Sequence, residues 1–138
     1  MLGLMKSHGV PTILVLDDSA AIRLLVRRTL EARPTRVIEA SGADEAWALM
    51  AVERPSLVLM EQRLAGSDPL EIPRALRRDR RLAGTRVLVL TTMAGEEGRR
   101  RALEAGADVV MSKPFHPAEL LAAVDFLLAP GHGRRQQA

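Results

Sequence analysis

The 138-residue chain contains no cysteine, which excludes disulfides, cysteine-based zinc sites and thiol catalysis and fits a cytoplasmic home. No apolar run approaches membrane-spanning length, and the lead from Met1 to Gly9 holds too few apolar residues for the core of a signal peptide. Internal repeats and low-complexity tracts are missing. Lysine is scarce: all but two of the 20 basic residues are arginine, and the net charge is only +3. That balance does not make nucleic acid an expected partner. The length allows one domain with one core and leaves no room for a second folded unit.

What the chain does have is a set of short, wholly apolar runs. The central one, Leu57-Val58-Leu59-Met60, is too short for a helix and reads as a strand buried on both faces. A carboxylate, Glu61, follows at once. An acid directly after such a strand lies at the carboxyl edge of a parallel sheet, where open α/β folds place their ligand crevices.

The same reading extends along the chain. Thr12 to Leu16 is a first strand ending in Asp17-Asp18-Ser19, with Ser19 placed to cap a helix. That helix carries Ile22, Leu25, Val26, Thr29 and Leu30 at helical spacing, leaves Arg23, Arg27 and Arg28 to water, and stops near Arg33-Pro34. Arg36 to Ala40 is a second strand, and Ala43 to Val52 a second helix closed by Pro55, with Trp47 shielding part of its surface. A third helix runs from about Pro69 to near Arg81, with Pro73 in or just past its first turn. Arg86 to Leu90 is a fourth strand ending in Thr91-Thr92. Gly95 to Ala105 is an arginine-rich helix closed by Gly106. Asp108 to Ser112 is a fifth strand, followed by Lys113-Pro114-Phe115, and the last helix runs from Pro117 to about Leu128. Five strands alternating with five helices predict a doubly wound parallel sheet. Its carboxyl edge would gather Asp17, Asp18, Glu61, Thr91 and Lys113.

Clustered carboxylates repel unless a cation or Lys113 lies among them. Acidic oxygens suit Mg²⁺, and a hydroxyl with an ammonium suits a phosphoryl group. In this combination and order, Asp17-Asp18-Ser19, the central strand with its acid, Leu90-Thr91, Ala105-Gly106-Ala107-Asp108 and Lys113-Pro114-Phe115 resemble the receiver domain of two-component response regulators. The resemblance implies a flavodoxin-like sheet of order 2-1-3-4-5. It makes Asp17 and Asp18 the metal-binding acids, Thr91 the switch hydroxyl and Lys113 the pairing ammonium, with a cis peptide before Pro114. Residues 11–128 would form the domain, between a flexible lead, 1–10, and a flexible tail, 129–138.

The chain departs from that family at several positions. Receivers are phosphorylated on Asp after the third strand, and this chain has Glu61. One extra methylene displaces the carboxylate by roughly 1 Å, enough to cost about a hundredfold in a reaction that needs in-line geometry. The longer side chain instead reaches toward Lys113 and Thr91 and supplies a fixed charge as an imperfect phosphate mimic. Asp68 lies too far into the loop to replace it. Leu64-Ala65 stands where the family often has Met-Pro, and Val110 where many members carry Tyr or Phe. The carbonyl of Arg63 is the metal-ligand position, and its guanidinium is placed to neutralise the acids in place of Mg²⁺. His116 and His132 read as helix-entry and tail residues. Arg99, Arg100 and Arg101 read as a solvated face, with docking as the functional alternative.

The expectation is a non-enzymatic, phosphorylation-independent pseudo-receiver with weak or absent Mg²⁺ binding. It would act by protein contacts through the surface of the fourth helix, fifth strand and fifth helix, with a homodimer among the options and no membrane. The alternatives are a conventional Mg²⁺-dependent phosphoacceptor and a metal-dependent phosphatase. The latter is disfavoured because such enzymes show Asp-x-Asp where this chain has Asp-Asp-Ser.

Overall fold

A computed structural model describes residues 9–130 except 65, 67, 93 and 94. The expected lead over 1–8, the tail from 131 on with His132, and Ala65 lie outside the described residues.

The strands are β1 Thr12–Leu16, β2 Arg36–Ala40, β3 Leu57–Met60, β4 Arg86–Thr91 and β5 Val109–Ser112. The helices are α1 Ala20–Leu30, α2 Ala43–Glu53, α3 Glu71–Arg78, α4 Glu96–Ala105 and α5 Pro117–Leu128. All strand pairs are parallel, in the order β2-β1-β3-β4-β5.

Alternation along the strands divides the core into two layers. Leu14, Leu16, Val58, Met60, Val87 and Val89 share one cluster with Ala46 and Met50 of α2, Ile72 and Leu76 of α3, and Ala102 of α4. Ile13, Val15, Leu57, Leu59, Leu88 and Leu90 face the other way, onto Val26 and Leu30 of α1 and Leu120, Val124 and Leu127 of α5. Covered on both faces, β3 has no polar side to show, hence its unbroken apolar run.

Helix ends follow local chemistry. Ser19 Oγ accepts from Ile22 N at 3.2 Å and caps α1. Pro73 is the third residue of α3, where its missing N–H would have had no partner within the helix. That helix ends at Arg78, short of Arg81, because Asp79 turns extended and takes the Arg81 N–H on its own carboxylate. Gly106 closes α4 at φ 117°, and a Cβ there would stand 3.0 Å from Arg77 Cγ.

The reading of α1 needs correction. Leu25 is 47% exposed, so the buried stripe runs through Val26 and Leu30 alone, with Ile22 beside it. Arg23 and Arg27 do not face open water: their Nε atoms lie 2.9 and 2.8 Å from the two oxygens of Glu39 on β2. No helix among the described residues is long and apolar enough to cross a membrane.

Candidate functional site at the carboxyl edge of the sheet

The register brings the strand ends level in two pairs, β1 with β3 and β4 with β5, the second pair running two residues past the first. Leu16 pairs with Met60, Met60 with Val89, and Thr91 with Ser112. Glu61 N then donates to Leu16 O at 3.0 Å, and Lys113 N to Thr91 O at 2.9 Å. Side chains that leave these ends meet over the sheet edge.

Lys113 Nζ sits between two acids, 2.7 Å from Asp17 Oδ2 and 2.6 Å from Glu61 Oε1. All three side chains are at most one-tenth exposed. Glu61 Oε2 accepts from Thr91 Oγ1 at 2.9 Å and from Arg63 N at 2.9 Å. Asp17 Oδ1 accepts from Ser19 N at 2.9 Å. The Lys113-Pro114 peptide is cis. Burial pushes the Glu61 carboxyl up, and the Lys113 ammonium, the Arg63 N–H and the Thr91 hydroxyl outweigh it, leaving Glu61 below its ordinary range. Burial also works against the Lys113 charge, and Asp17 and Glu61 more than restore it, so Lys113 lies above its usual value.

Other residues from the sequence reading lie apart. Asp18 is exposed and lines an open pocket of about 420 Å³ with Ser41, Asp44 and Glu45. The Arg63 side chain is exposed and forms no ion pair among the described residues, so Lys113, and not the expected guanidinium, neutralises the acids. Its N–H points inward to Glu61 while its side chain points outward. Val110 is half-buried and packs on the first core layer. On α4, Arg100 is shared between Glu97 and Glu104 at 2.6 and 2.8 Å, and Arg99 Nη1 donates to Val110 O at 3.3 Å.

Two contributors were missed. Arg23 Nη1 donates to Asp17 O at 2.6 Å while its Nε holds Glu39, fixing the acidic loop to β2. The available signal was a glutamate between the apolar Ile38 and Ala40 of β2, facing arginines four apart on the preceding helix. Gln62, 5% exposed, donates Nε2 to Gly98 O at 2.9 Å and so ties the end of β3 to the first turn of α4.

A Mg²⁺ ion fits this arrangement poorly. Asp17 and Glu61 have every carboxylate oxygen engaged by a protein donor, and Lys113 fills the space between them. Among the described residues no group of three acidic, His or Cys ligands is placed to hold a metal. The same saturation bears on nucleophilicity: neither Glu61 oxygen is left without a hydrogen-bond donor, and donors lower the electron density a phosphoryl acceptor must offer.

The model of the response regulator receiver domain matches residues 13–125. The phosphate regulon transcriptional regulatory protein PhoB of Pseudomonas aeruginosa is 34% identical over 117 residues, covering 85% of this chain and 51% of that protein. The transcriptional regulatory protein ResD of Bacillus subtilis is 36% identical over 116 residues, 84% and 47% of the two chains. The chain thus spans about half the length of these curated relatives. Among solved structures, chemotaxis response regulator CheY4 of Vibrio cholerae superposes with a TM-score of 0.79 at 28% identity, covering 86% of this chain and 99% of that one. A putative response regulator of Chloroflexus aurantiacus gives 0.82 at 25% identity, with 87% and 98% covered. A receiver-domain match over most of the chain, relatives of 34% and 36% identity, and a parallel sheet in the order β2-β1-β3-β4-β5 together show that the chain belongs to the receiver domains of two-component response regulators.

Proposed function

We propose that this receiver works without phosphorylation, as a non-enzymatic cytoplasmic signalling module that acts by protein contact. The observation that carries the reading is the Glu61 carboxylate, seated 2.6 Å from Lys113 and 2.9 Å from Thr91. In this family a phosphoryl group on Asp would take the ammonium and the hydroxyl. Here an ordinary carboxylate already has both. It brings one negative charge where a phosphate brings about two, so it holds the site in a fixed state by a weaker version of the same attraction. Mg²⁺ is unnecessary to that state, because Lys113 supplies the cation. The partner surface is α4, β5 and α5, with exposed Arg99 and Arg101 as its positive face and self-association among its uses.

A conventional phosphoacceptor is the second reading, favoured by the retained Asp17, Asp18, Thr91 and Lys113. Incubation with a small phosphodonor and Mg²⁺, followed by intact mass, separates the two. No mass gain is expected from the native chain. A stable gain of one phosphoryl group, lost in Glu61→Gln, would overturn the proposal. Glu61→Asp retracts the carboxylate by one carbon and is expected to bring phosphate uptake back.

A further inference from the structure

The opposite edge of the sheet holds a second concave site. Where β1, β3 and β4 begin, a cavity of about 360 Å³ opens between them and the end of α5. That volume falls in the range of small-molecule sites, about 300–1,000 Å³. Its wall carries three arginines, Arg54, Arg81 and Arg86, with the Ser56 hydroxyl, and Leu127 and Leu128 form an apolar side.

Three features separate this group from the chain's general arginine bias. First, Arg54 ends α2 in the left-handed region, φ 46° and ψ 65°, the only non-glycine with positive φ among the described residues. Glycine takes that helix-end position without strain, whereas a residue with a Cβ pays about 1 kcal/mol or more for it. Such outliers persist where the surrounding structure holds them, and they cluster at ligand-binding positions. Second, the charges do not cancel. Arg81 pairs with Asp79 at 3.5 Å, while Arg54 and Arg86 form no ion pair among the described residues. Nearby Glu53 is engaged by Arg36 at 2.6 Å. Three guanidinium groups face one carboxylate, leaving an excess of two positive charges. Third, Arg86 is fixed at the pocket wall by its Nη1 bond to Gly84 O, with its Nε shut away from solvent, so the guanidinium is set in place before a ligand arrives.

We infer that this pocket binds a phosphoryl dianion, either inorganic phosphate or a phosphomonoester whose apolar part rests on Leu128. Phosphate carries about −1.5 to −2 charges at neutral pH, which matches the excess, and its oxygens accept guanidinium forks two at a time. The site lies across the sheet from Glu61, so it stands whether or not Glu61 is ever phosphorylated.

The test is titration of the isotopically labelled chain by amide NMR at constant ionic strength, with inorganic phosphate, phenyl phosphate and benzoate as separate arms. Saturable shifts at Ser56, Gly84 to Arg86 and Leu127 are expected with both phosphates, phenyl phosphate binding more tightly if the apolar side contributes. Arg54→Ala and Arg81→Ala each weaken binding by about tenfold, with the amide spectrum otherwise unchanged. Benzoate binding as tightly as phosphate would overturn the assignment to a phosphoryl group. Shifts that never saturate, that centre on Arg99 to Arg101, or that persist unchanged in both variants would show charge screening and no site.

Discussion

The two edges of one sheet each bury an ion pair, and they use it differently. At the amino edge, Arg77 Nη2 lies 3.0 Å from Asp108 Oδ2, and the same guanidinium donates to the carbonyls of Ala83, Thr85 and Gly106. Asp108 also accepts from the Val87 N–H at 2.8 Å. These backbone partners make the cluster a joint between α3, β4 and the start of β5. At the carboxyl edge, Lys113 is held by the side chains of Asp17 and Glu61, and Glu61 in turn by the Thr91 side chain. Side chains can exchange partners without moving the fold. The amino-edge cluster ties backbone segments together, and the carboxyl-edge cluster is made mainly of side chains that meet at the strand ends.

If that contrast is right, Arg77→Met produces the largest loss. Asp108 is left buried without its cation and three carbonyls lose a donor, a destabilisation of about 3–5 kcal/mol in urea unfolding. Added cations will not repair it. Lys113→Met costs less, about 3 kcal/mol, since no backbone carbonyl loses a donor with it and Asp17 and Glu61 keep the donors Ser19, Arg63 and Thr91. This variant, unlike the native chain, gains thermal stability from millimolar Mg²⁺, because removing the ammonium leaves oxygens for a divalent ion. Equal losses in the two variants, or Mg²⁺ stabilising the native chain as much as Lys113→Met, would erase the distinction between the edges.

The smallest effect is in the pH profile. Glu61 is depressed in the folded chain, so its contribution is complete above the unfolded carboxyl value of about 4.3 and is lost as pH falls through the lower folded value. Lys113 is raised, so its contribution is complete below about 10.4 and disappears as pH climbs through the higher folded value. Between those limits neither Glu61 nor Lys113 adds a slope of its own. Glu61→Gln is expected to flatten the acid limb of stability, measured by thermal unfolding from pH 3 to 7 (roughly the window of carboxyl titration). An unchanged acid limb would mean that the Glu61 pair adds nothing to stability.

The strands were legible because each is an apolar run ended by a polar residue, and a parallel sheet aligns those ends without further information. The meeting of Glu61, Thr91 and Lys113 follows from that alignment. Side chains that cross between elements were not legible. Arg23 and Arg27 looked solvated because helical periodicity describes one helix and cannot see Glu39 on a neighbouring strand. Leu25 has apolar spacing, yet α1 rotates to seat Val26 and Leu30, leaving it outside. Arg63 was expected to reach inward with its longest group, but the chain turns there so that only its amide does. Asp18, adjacent to Asp17, points away because neighbours at a strand end diverge.

Gln62 extends the reach of the carboxyl edge. With its amide nitrogen on Gly98 O and its carbonyl oxygen buried without a donor among the described residues, it fastens α4 to the residue next to Glu61 by a single bond. A protein that grips α4 therefore also pulls on the peptide that orients Glu61. A push on α4 is thereby felt at the carboxyl edge as readily as a change at that edge is felt on α4.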